Sequence, residues 1–263
     1  MTSAAVAPSV RRWLPFSVPE RGIEAGGLRM YCLPHAGGAA SAYRSWGGRI
    51  GAVTVCPIQL AGRETRMNDV PHDRMAPLVS ELADVVLADS GGPYAVYGHS
   101  LGALVGYELL QEIRRRGGPD PVHLVVSGCP APHRSGPGEE SRTRRRVDEM
   151  TDAEVAGLLR SLGGTPELFL SDPTVLQMIL PRVRADFGVK DSYSYQPQAP
   201  LNVPITALAS TADPRADIES MLAWRDLTVQ RFKAYTLTGG HFAALEQAHV
   251  TQAYIRRALC GAA

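Results

Sequence analysis

Ser100, Asp213 and His241 have the types and the chain order needed to cleave an acyl bond through a serine nucleophile. Ser100 stands in Gly98-His99-Ser100-Leu101-Gly102, directly after the apolar, β-prone run Tyr94-Ala95-Val96-Tyr97 and directly before a helical pattern. A Gly-x-Ser-x-Gly turn between a strand and a helix forces its serine into a strained backbone conformation. A side chain at either glycine would crowd that turn. The hydroxyl is lifted above the sheet, and the helix N-terminus is aimed at the reacting carbonyl. A serine hydroxyl is a weak nucleophile, so the chain must also supply a base, an acid to orient the base, and donors for the developing oxyanion.

His241, in Gly239-Gly240-His241-Phe242, is the only histidine after Ser100 on a loop that follows a strand pattern, and it is the expected base. His123 falls inside a strand pattern, His133 enters a Pro/Gly-rich region, and His249 lies in the final helix pattern. His35 and His72 precede the serine, and His99 leaves the turn in a different direction. Asp213 follows a strand pattern and lies 28 residues (241 − 213) before the histidine, room for one helix and one strand. It is the better candidate for the acid. Asp217 is the fallback, and an aspartate before a proline is also an ordinary turn former. The backbone N–H of Leu101, next to the nucleophile, is one expected oxyanion donor. Ala36, in the Gly-rich turn Pro34-His35-Ala36-Gly37-Gly38 after the first strand, supplies the other.

The elements that must position these groups alternate. Strand patterns cover 28–33, 53–58, 94–97, 122–127, 203–209 and 232–237, and helical patterns cover 41–46, 77–88, 100–116, 218–224 and 248–259. Strand 122–127 is almost continuously apolar, as a buried parallel strand should be. The alternation predicts an α/β chain with a mostly parallel, doubly wound sheet. No strand pattern falls between 131 and 200. Helices are predicted there at 152–162, with Thr151 and Glu154 forming a capping box, and at 174–180 and 181–187. The expected organisation is an N-terminal segment, 1–27, partly mobile; a core of 28–130 and 201–263; and a helical insertion, 131–200, lying as a lid over the serine. Leu158, Leu159, Leu162, Leu168, Phe169, Leu176, Met178 and Ile179 either line an acyl pocket or pack the insertion onto the core.

The 263 residues carry a formal net charge of +1, so no strong overall field favours nucleic acid or a membrane. The chain has no run of about 18 apolar residues and no apolar stretch of the secretory type near its start, which leads us to expect a cytoplasmic protein. Cys32, Cys56, Cys129 and Cys260 are scattered without metal-ligand spacing and are expected to be reduced thiols. No metal and no cofactor are expected, and a monomer is. Arg142, Arg144, Arg145 and Arg146 form a basic cluster, either a solvated face or a surface for an acidic partner.

Several separated stretches together resemble type II thioesterases, the editing enzymes of polyketide and non-ribosomal peptide assembly lines, which have the α/β-hydrolase fold. They are LPHAGGAASAYRSW at 33–46, QLAGRETR at 59–66, YGHSLGALVGYEL at 97–109, LPRVRADF at 180–187 and GGHF at 239–242. The resemblance implies hydrolysis of stalled acyl thioesters on the phosphopantetheine arm of an acyl or peptidyl carrier protein. It implies Ser100, Asp213 and His241 as the triad, and Ala36 with Leu101 as oxyanion donors. Position 61 is Ala where the family usually has Pro, and 209–214 is less acidic than the corresponding loop of many members. A general carboxylesterase without a carrier partner, and a silent docking protein, are the competing expectations.

Overall fold

In the computed structural model, which describes residues 8–16, 27–134 and 145–259, seven strands form one sheet in the order β2-β3-β1-β4-β5-β6-β7. They are β1 (Arg29–Leu33), β2 (Arg49–Ile50), β3 (Val53–Pro57), β4 (Tyr94–His99), β5 (His123–Ser127), β6 (Ile205–Ser210) and β7 (Phe232–Leu237). All neighbouring pairs are parallel except β2 with β3. The strands β3, β4, β5 and β6 are buried at every residue, because helices cover both faces, and this is why they read as unbroken apolar runs. β7, at the edge, alternates between exposed and partly buried residues until Leu237.

Two helices pack beside the central strands. Met75–Asp89 buries Leu78, Leu82, Val85 and Val86, and Leu101–Arg115 buries Leu101, Leu104, Val105, Leu109 and Ile113. Ala248–Leu259 lies on the other face, where Ile255 joins Met30, Val55 and Tyr97. The strand order crosses over between β1 and β4, so loops leaving the C-terminal ends of β1 and β4 meet there, where open sheets of this kind place ligands.

The N-terminal segment contains a helix, Pro8–Trp13, whose Val10 and Trp13 are buried in the main core; Arg66 stacks 4.0 Å from the Trp13 ring. Three elements depart from the sequence reading. Strand β2 is only two residues long and gives too short a pattern to read. Strand β6 starts at Ile205 rather than at 203, one residue after Pro204, which has no N–H to pair. The two helices expected at 174–180 and 181–187 form one helix, Pro173–Asp191, running through Pro181. Pro181 removes one backbone hydrogen bond, but the buried Leu180, Val183 and Phe187 hold the turns on either side in place.

The insertion also contains Asp152–Leu162 and Glu167–Ser171. Thr151 and Glu154 form the expected capping box. Leu159, Leu170, Ile179, Leu180, Val183 and Phe187 make a small apolar cluster of its own. Leu168 and Met178, two of the candidate pocket residues, instead face solvent, being 72% and 62% exposed. Arg145 pairs with Glu154 and Arg146 with Asp148, while Arg142 and Arg144 lie outside the described residues. Cys32, Cys56 and Cys129 are buried free thiols, and Cys260 is outside the described residues. No helix among the described residues is long and apolar enough to cross a membrane.

Candidate active site

Ser100 has φ 55° and ψ −118°, one of two non-glycine residues with positive φ among those described. The strained turn is held because Ser100 N–H donates to the Ser127 carbonyl at 2.8 Å, while strand and helix fix both sides. A Cβ at Gly98 would sit 2.2 Å from the Gly102 carbonyl oxygen, and one at Gly102 would sit 2.1 Å from that of Leu33. Both glycines are therefore demanded by close backbone approach.

The loops after β6 and β7 bring Asp213 and His241 to this serine. His241 Nε2 lies 3.0 Å from Ser100 Oγ, and Nδ1 lies 2.9 Å from Asp213 Oδ2 and 3.0 Å from Oδ1. Asp213 is held in turn by the Arg215 N–H, 2.8 Å from Oδ1. Both His241 and Asp213 are buried, which strengthens their interaction over the same pair in water. Asp217, the fallback acid, instead caps the helix Ile218–Leu222 by accepting from Ser220 N–H at 2.7 Å. Ala36 and Leu101 line the same small cavity as Ser100 and His241. Leu101 is the first residue of its helix, where a backbone N–H has no acceptor within the helix.

Two features of the site were not read from the sequence. The first is a ring cluster. His99 and His241 lie 5.1 Å apart, His35 and His99 5.9 Å, and Phe242 packs edge-on or tilted against all three. Burial pushes the His35 pKa down to about 4, reinforced by the charges of His241 and Arg63. Burial, then His241 and His35, hold His99 well below the usual histidine range. Both rings therefore stay neutral. His99 Nδ1 is further tied to Ser127 Oγ at 2.9 Å, and that hydroxyl to Tyr97 OH at 2.8 Å.

The second is a buried ion pair. Arg63 donates to both oxygens of Asp186 at 2.7 Å, with both side chains almost fully buried. Asp186 also accepts the Gly37 N–H at 2.6 Å, and Arg63 donates to the Gly38 carbonyl at 2.8 Å. The helix Pro173–Asp191, the loop at 59–66 and the Gly turn beside Ala36 are thus pinned at one point. The stretches GRE and RAD carry both residues, but nothing in a single sequence pairs positions 123 residues apart.

A model of the thioesterase domain family matches residues 29–257. The chain belongs to the thioesterase family. It is 38% identical over 246 residues to a Brevibacillus parabrevis protein named linear gramicidin dehydrogenase LgrE, covering 92% of this chain and 89% of that one. The name of that relative describes a different reaction; the family model and the solved structures describe a thioesterase. The thioesterase RedJ, from the prodiginine biosynthetic pathway of Streptomyces coelicolor, superposes with a TM-score of 0.80 at 34% identity, covering 98% and 97% of the two chains. The type II thioesterase BorB, from the borrelidin biosynthetic cluster, gives a TM-score of 0.80 at 32% identity over 91% and 95%. The fold is that of the α/β-hydrolases, and the chain is a thioesterase of the type II group found in antibiotic biosynthesis.

Proposed function

We propose that this thioesterase removes aberrant or stalled acyl groups from the phosphopantetheine arm of an acyl or peptidyl carrier protein, through an acyl enzyme on Ser100. The observation that carries the reading is the relay of His241 between Ser100 Oγ at 3.0 Å and Asp213 at 2.9 Å. His241 takes the hydroxyl proton as Ser100 Oγ attacks the thioester carbonyl. Asp213 fixes the imidazole tautomer and stabilises the imidazolium. The N–H groups of Leu101 and Ala36 receive the oxyanion. The C–S bond breaks, the thiol leaves with the proton from His241, and an ester to Ser100 remains. Water, activated by His241, then attacks that ester and releases the carboxylic acid.

The insertion acts as a lid over this chemistry. Leu159, Leu162, Thr165, Phe187 and Lys190 roof the cavity at Ser100, which encloses only about 30 Å³. Pockets that take drug-sized ligands usually measure roughly 300 Å³ or more, so a large acyl group needs space beyond this cavity, which a shift of the roof would supply. Exclusion of water from the closed site strengthens the polar contacts within it.

The test is a panel of carrier proteins bearing acetyl, propionyl, malonyl and longer chains, with acyl loss followed by mass spectrometry and Ser100→Ala as control. The reading expects hydrolysis by the wild type and none above background by the variant. Equal or better turnover of a free p-nitrophenyl ester, with no gain from the carrier, would assign the chain instead to the general carboxylesterases.

A further inference from the structure

Beside the cavity at Ser100 lies a second, larger cleft of about 330 Å³. The two share His35, Ala36, Leu159 and Thr165 in their walls, so they lie side by side. Phe169, Ile179 and Val183 give the cleft an apolar wall, and Ser41, Glu64 and Arg182 give it polar groups. Arg182 follows the proline inside the helix Pro173–Asp191.

Arg182 is half-buried, and its Nε is buried with no hydrogen-bond partner among the described residues. The two carboxylates that act on its charge, Asp186 and Glu64, are both engaged elsewhere. Asp186 is bidentate on Arg63, and Glu64 accepts from the Ser41 hydroxyl. Arg184, one turn side away on the same helix, shows the contrast: it donates to Asp152 at 2.7 Å and to two backbone carbonyls. Burial and the Arg63 charge both work against the charged form of Arg182. A guanidinium remains ionised in a protein, and neither nearby carboxylate forms an ion pair with this one. Its planar fork suits carboxylate or phosphate oxygens.

We propose that Arg182 binds an anionic oxygen group of the thioester substrate in this cleft, while the scissile carbonyl sits at Ser100. The inference rests on the thioesterase reading above. A thioester on a carrier arm offers that chemistry in two places: the phosphate at the far end of the arm, and a free carboxylate on a dicarboxylic acyl group. Such a contact selects among substrates that share the same reacting bond.

Three substrates separate the sources: acetyl-pantetheine, with neither group; acetyl-phosphopantetheine, with the phosphate; and malonyl-pantetheine, with the carboxylate. Steady-state kcat/KM is measured at low salt for the wild type, Arg182→Met and Arg182→Lys. The wild type is expected to prefer one anionic substrate over acetyl-pantetheine by about 10-fold, the size of a single charge-assisted contact. Which substrate is preferred names the source. Arg182→Met should bring that ratio to about one, and Arg182→Lys, which keeps the charge but not the planar fork, should keep only part of it. A wild type indifferent to both anionic groups, or a preference that survives in Arg182→Met, overturns the proposal. If Arg182→Met fails to fold, Arg182→Gln carries the same comparison, and an indifferent wild type overturns the proposal on its own. Turnover of acetyl-pantetheine by the wild type but not by Ser100→Ala reports separately on the thioesterase reading.

Discussion

The sheet and the insertion above it are built by different physics. Around Ser100 the strands are buried on both faces, and their backbone positions are fixed by parallel ladders and close-packed apolar side chains. The insertion has a small apolar cluster of its own. Its outer face is laced by exposed pairs such as Arg160–Glu167 and Arg145–Glu154, which are worth little each. Rigidity is thus concentrated where bond geometry matters, and the part that must admit a substrate is held by weaker forces. One firm tie between the two is Asp186. It lies on an insertion helix but is bound into the core by Arg63 and by the Gly37 N–H. That contact ties the roof to the turn that carries Ala36.

The contrast can be broken first at the chemistry. Asp213→Asn should lower kcat by roughly 10³- to 10⁴-fold, because the wrong imidazole tautomer would face Ser100. The melting temperature should move little. A small kinetic effect would mean that Asp213 is only a turn residue.

Next comes the pin between the two regions. Asp186→Ala leaves the Arg63 guanidinium buried and uncompensated, and should cost about 3–5 kcal/mol in urea unfolding. Arg160→Ala, on the outer face of the insertion, should cost under about 1 kcal/mol. Similar values for the two would erase the distinction between pinned and loosely held parts.

Acid should loosen the core side of the site. The pKa values of His35 and His123 are pushed down to about 4 and that of His99 well below the usual histidine range, all by burial first. Between about pH 6.5 and pH 4 the unfolded chain therefore binds more protons than the folded one. Stability is full above pH 6.5 and falls as pH drops through that window. Thermal melts at pH 7.5, 6 and 5 should show a falling midpoint, and a smaller fall for His123→Gln, which removes one of the rings. A midpoint that rises toward pH 5 would contradict the neutral assignment.

The smallest effect is expected at the insertion's cap. Thr151→Ala removes the side-chain acceptor for the Glu154 N–H. It should cost about 1 kcal/mol in stability, and kcat should change far less than in Asp213→Asn. A large loss of kcat would show that the first turn of Asp152–Leu162 takes part in holding the site.

Local features were the legible ones. Gly98, Ser100 and Gly102 could be read because a strand, a tight turn and a helix adjoin within a few residues. The Thr151–Glu154 cap was readable for the same reason. The sequence favours Asp213 as the acid but keeps Asp217 as a fallback, since both lie on the loop after β6. Only the fold turns one toward His241 and the other into a helix cap. Pro181 reads as a break because its local cost is visible in a sequence, while the packing of Val183 and Phe187 that offsets it is not. The Arg63–Asp186 pair and the rings of His35 and His99 depend on contacts between distant segments. Charge and hydropathy patterns carry no sign of them.

The central claim is that Ser100 becomes acylated by a thioester. It is tested most directly by quenching a reaction with excess acetyl-phosphopantetheine within its first turnovers and weighing the intact protein. The mechanism requires a fraction of the chains to gain the mass of one acetyl group, with the label on the peptide containing Ser100, and no gain in Ser100→Ala. Turnover without acylation, or a label on another residue, would contradict it.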